Sequence, residues 1–84
     1  MACEIVAFPS VRRVGYVRKL AWMLVHYRPD AAERTLAAQL DIQRAAMLRR
    51  GLAPDVVERE LRALELAVRA RLWAIVMQGG GDVA

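Results

Sequence analysis

The chain has 84 residues and a single cysteine, Cys3, which points to one domain with neither an intramolecular disulfide nor a Cys/His zinc site. Its apolar fraction is 57%, yet no stretch reaches the ~20 uninterrupted apolar residues of a membrane span, and no secretion signal is evident, so a soluble cytoplasmic protein is expected. The formal charge of +4 sits in the first third, where Arg12, Arg13, Arg18, Lys19 and Arg28 face only Glu4; the later residues are balanced.

From the N-terminus, residues 4–8 (Glu4-Ile5-Val6-Ala7-Phe8) read as a short extended arm. Ile5, Val6 and Phe8 favour strand, and Pro9 pushes Phe8 out of helix. Ser10 then stands where a helix N-cap belongs. A first helix is expected over residues 11–27, with Val11, Val14, Val17, Leu20, Ala21, Leu24 and Val25 on one arc at helical spacing. Arg28-Pro29-Asp30 ends it and starts a second helix, expected over 30–50, because proline suits the first helical position. Its seam is Leu36, Leu40, Gln43 and Met47, with Ala32, Ala37 and Leu48 beside it. Gln43 either fixes helix register or snorkels at the core edge. Gly51 is the expected left-handed stop. A third helix restarts at Pro54 and is expected over 54–77, with the seam Val57, Leu61, Leu64, Val68, Leu72 and Ile75. Asp55–Arg59, Glu58–Arg62 and Glu65–Arg69 pair acid before base at i,i+4. Gly79-Gly80-Gly81 opens a flexible tail. Short joints make neighbouring helices antiparallel. The expected fold class is therefore all-α: a three-helix bundle preceded by an extended arm.

Two surfaces stand out. In the third helix Leu66, Trp73 and Met77 lie together about 140° from the seam, with Ala63 and Ala70 alongside. A helix apolar on two sides usually buries both. This second stripe is either covered by the arm or first helix, or used as an interface with a protein partner or a homodimer mate. On the first helix Arg12, Tyr16, Lys19, Met23 and His26 lie opposite the core arc, with Arg13 and Trp22 at the edges. Basic groups interleaved with aromatics suit phosphates and bases; the same face suits an acidic protein, and less well a membrane surface. Arg12, Arg13, Tyr16 and Lys19 are the residues expected to meet such a partner.

No catalytic residues, cofactor site, metal site or small-molecule substrate are expected. The lone His26 has no nucleophile or carboxylate arrangement beside it. The tail glycines precede no helix, so they make no phosphate loop. A helix-turn-helix over 47–60 would place Asp55, Glu58 and Glu60 against phosphates, which disfavours it.

Ile5-Val6-Ala7-Phe8-Pro9 with Arg12-Arg13, the run Ala31-Ala32-Glu33-Arg34-Thr35-Leu36-Ala37-Ala38-Gln39-Leu40, Arg49-Arg50-Gly51, and Glu60-Leu61-Arg62-Ala63-Leu64-Glu65 together resemble a family of short, functionally uncharacterised proteins of bacterial and phage genomes. Arg28 departs from the serine-like cap expected there. The resemblance implies a fold and a genomic setting only. By analogy, phage proteins that block host defence complexes, such as anti-CRISPR proteins, are similarly short, non-enzymatic and often dimeric. The expected function is protein–protein binding of this kind, the alternative a small basic nucleic-acid-binding accessory protein.

Overall fold

The computed structural model describes residues 10–78, with side chains from Arg13 onward. The extended arm expected at 4–8, the glycine-rich tail and the side chain of Arg12 lie outside the described residues. Three helices make up the fold: α1 (Ser10–Leu24), α2 (Pro29–Arg49) and α3 (Pro54–Met77). The all-α, three-helix expectation is met.

Proline sets both joints. Arg28 and Ala53 are extended (ψ 152° and 145°), as residues before proline must be, and each is followed by Pro at the first helical position. For the same reason α1 ends at Leu24, three residues before the expected Tyr27. His26 N–H donates to the Met23 carbonyl and Tyr27 N–H to the Leu24 carbonyl, an i→i+3 tightening that lets the chain turn before Pro29. At the far end of α2, Gly51 has φ +92°. Leu52 N–H reaches the Met47 carbonyl at 3.2 Å and Gly51 N–H the Leu48 carbonyl at 3.0 Å. That is a Schellman cap, with Leu52 and Met47 buried against each other as its hydrophobic clasp.

Two glycine substitutions should therefore move stability in opposite directions. Gly51→Ala meets no steric neighbour but forces a side chain into left-handed backbone, so a loss of about 1–2 kcal/mol is expected. Gly15 lies inside α1 with open space around it, and Gly15→Ala should gain roughly 0.5–1 kcal/mol. Urea melts of the two variants check the pair; a common sign for both would refute the assigned backbone roles.

The packing is centred on α3. It packs against both other helices, whereas α1 and α2 touch each other little. Arg13 near the start of α1 approaches Glu60 near the start of α3, and Leu24 at the end of α1 clusters with Leu72. Thus α1 and α3 run in the same direction and α2 runs against both. The core has two parts. Val17, Leu20, Leu24, Leu36, Leu64 and Val68 form one, Met47, Leu52, Val57 and Leu61 the other, and Leu40 packs against both. The seam of α3 is buried as its periodicity predicts, with Leu72 half-buried. The flanking helices follow their patterns less closely. Val14 is 57% and Leu48 44% exposed, because each outer helix has only one close neighbour to bury against.

Candidate protein-binding surface

The outward side of α3 is the most distinctive surface of the molecule. Helical geometry turns residues 63, 66, 70, 73 and 77 directly away from the buried seam. Leu66 and Trp73 are each 62% exposed and Met77 63%, with Ala70 also exposed and Val76 beside them at 55%. No charged residue interrupts α3 after Arg71. The alternation of three- and four-residue steps from Ala63 to Met77 is that of a coiled-coil seam. The expected interface residues Leu66, Ala70, Trp73 and Met77 are thus brought together on one face. Val76 is an additional member that periodicity alone assigns to the edge. Among the described residues nothing covers this face; α1 in particular packs on the opposite side of α3.

The cationic face expected on α1 is divided. Lys19 is exposed, but Arg13 is half-buried and approaches Glu60 at 3.9 Å. Tyr16 turns toward α2, where its hydroxyl donates to Gln39 Oε1 at 3.1 Å. Burial raises the Tyr16 pKa above its ordinary 10.0, opposed by a hydrogen bond from Gln43. Tyr16 is therefore a polar strut between α1 and α2. Its ring is not presented with Lys19 for stacking on a base. Trp22 and His26 stack at 6.2 Å, and His26 Nδ1 donates to the Trp22 carbonyl at 2.9 Å, so His26 is satisfied within its own helix end.

What the structure adds is a groove of about 180 Å³ between α1 and α3. Val14, Val17 and Ala67 line its apolar part and Arg13, Arg18 and Arg71 its cationic part. No signal within either helix pattern announces it, because it depends on the parallel pairing of helices distant in sequence.

Elsewhere the charges are matched across helices. Arg69 grips Glu33 of α2 through two 2.8 Å hydrogen bonds and Glu65 of its own helix through a third at 3.0 Å. Arg44 joins Asp41 to Glu58. Of the three expected i,i+4 pairs only Glu65–Arg69 forms; Arg44 captures Glu58, and Asp55 makes no ion pair among the described residues. Among the described acids all but Asp55 are paired, so the surplus is cationic and includes Arg18, Lys19, Arg59, Arg62 and Arg71.

Hydrogen bonds from Arg69 hold the Glu33 carboxyl below its ordinary 4.5, and those from Arg44 do the same for Glu58. Depressed folded-state values mean stability present above the ordinary carboxylate pKa and lost as pH falls through the folded one. The melting temperature should therefore decline below about pH 4.5, less steeply in Arg69→Gln, and the pairs should weaken in molar salt. A thermal-melt series from pH 7 to pH 3 checks this; an identical acid slope in Arg69→Gln would count against it.

Among the described residues no group of acidic, histidine or cysteine side chains could hold a metal ion, and no helix is long and apolar enough to cross a membrane. No curated protein and no solved structure matches the chain. A family model does match, over residues 1–83. With nearly its whole length covered, the chain belongs to the family of unknown function DUF6074.

Proposed function

We propose that this chain is a non-enzymatic cytoplasmic binding protein that works through protein–protein contact, with the outward face of α3 as its contact surface. The observation that carries this reading is the stripe of exposed Leu66, Ala70, Trp73, Val76 and Met77 on a helix whose other side is already buried. Contiguous exposed apolar patches mark interaction sites, and tryptophan is enriched where binding energy concentrates. The unpaired cations would steer an acidic partner toward the molecule. The test compares capture from the native host by the wild-type chain and by Leu66→Ser/Trp73→Ser. Partners recovered by the first and lost by the second, with helix content unchanged, support the proposal. Equal recovery sinks it.

The narrower form of this reading is a phage-type inhibitor of a host nucleic-acid-targeting defence complex, like an anti-CRISPR protein. It is supported by the resemblance to short bacterial and phage proteins alone. Components of such a complex among the captured partners would favour it.

A second reading, a nucleic-acid-binding accessory protein, is favoured by Arg13, Arg18 and Arg71 around the α1–α3 groove. Phosphate contacts would give binding that falls steeply with salt. If neither duplex nor single-stranded DNA or RNA binds at low salt, this reading is lost.

A further inference from the structure

We propose that the occupant of the outward face of α3 is a second copy of the same chain, paired antiparallel about Ala70. The inference rests on the reading of that face as a binding surface. Its first support is size matching. With a two-fold axis at Ala70, Ala63 of one copy faces Met77 of the other, Leu66 faces Trp73, and the two Ala70 residues meet at the centre. Small side chains oppose large ones at the ends, and the small pair at the axis lets the backbones approach, as interdigitating seams require.

The second support is charge. Arg59 and Arg62 lie at the N-terminal end of the seam, and among the described residues neither makes an ion pair. A parallel pair would set each beside its own copy. The antiparallel pair instead carries Arg62 to the C-terminal end of the other α3, near Gln78. That end has no basic residue in its last turn, so its free carbonyls and negative dipole have no cation of their own. The facing arginine supplies one, in each direction, by symmetry.

Area sets the strength. The exposed side chains offer on the order of 400–500 Å² per copy, below the ~800 Å² per partner of a standard interface. The dimer is therefore weak and concentration-dependent, an exchangeable self-pairing that a heterologous partner of higher affinity can displace.

Two measurements test it, both on the full chain. Sedimentation velocity from micromolar to near-millimolar concentration should show a reversible monomer–dimer equilibrium. Trp73→Ala and, independently, Leu66→Ala should raise the half-dimer concentration at least tenfold with helix content intact. In a Cys3→Ser background, Ala70→Cys should form an intermolecular disulfide under mild oxidation. Ala63→Cys should not, because in the antiparallel pair its two copies are about 21 Å apart along the axis. Efficient cross-linking at both positions would show a parallel pair and overturn the proposal. A monomer at every concentration also overturns it. If host capture still depends on Leu66 and Trp73 in that case, only the self-pairing falls; if capture fails as well, both readings fall.

Discussion

Leu64→Ala is expected to remove a large share of the stability of this protein, while Leu66→Ala, two residues later on the same helix, should leave it nearly unchanged. Leu64 is 1% exposed and sits among Val17, Leu20, Leu24, Leu36 and Val68, where α3 meets side chains of both other helices. Truncating such a leucine costs about 2–5 kcal/mol, through lost burial and the cavity left behind. A domain of this length has roughly 4–12 kcal/mol in total. The cavity cannot close easily, because collapse toward α1 opens a gap toward α2. Leu66, 62% exposed, loses little on truncation. Circular dichroism melts of the two variants are the check. Similar melting temperatures for Leu64→Ala and the wild type would refute the placement of the seam.

Met47→Ala is the second large effect. Met47 is 1% exposed and is enclosed by Leu52, Val57 and Leu61. It also forms the clasp of the Schellman cap with Leu52, so truncation both opens a cavity and loosens the joint between α2 and α3. A loss of about 2–5 kcal/mol is expected. Met47→Leu keeps most of the volume and should cost less than about 1.5 kcal/mol. A urea series on both variants separates packing from sulfur chemistry: equal losses would show that the site needs methionine itself rather than a filled volume. The damage should concentrate at the α2–α3 corner, since Leu40 is the side chain packed against both clusters. Hydrogen exchange in Met47→Ala should accelerate first around Leu52 and Val57.

Legibility followed the physics of each feature. The α3 seam and its opposite stripe were readable because a 24-residue helix repeats its pattern enough times to define two faces. The proline-marked starts of α2 and α3 and the glycine stop at Gly51 were readable because they are local backbone constraints. The end of α1 was less so: Val25 and Tyr27 continue the apolar pattern, but the extended residue before Pro29 needs a turn ahead of it. Tyr16 was misplaced for a different reason. It stands at the boundary between two faces, and only the position of Gln39 and Gln43 on α2 decides which way it turns. Glu58 shows the same limit, since Arg62 at i,i+4 satisfies the sequence pattern yet Arg44 on another helix is the partner. The α1–α3 groove depends wholly on which helices adjoin.

That adjacency also orders the birth of the fold. Because α1 rests mainly on α3 and meets α2, its neighbour along the chain, chiefly around Leu36, most of the apolar surface it lies on is missing until α3 exists. During synthesis Leu24 must wait for Leu72, which packs against the same core cluster, and at 5–20 residues per second that interval is roughly 2–10 s. Until then Leu20 and Leu24 lack most of their core neighbours, so the first helix to be made is among the last to be buried.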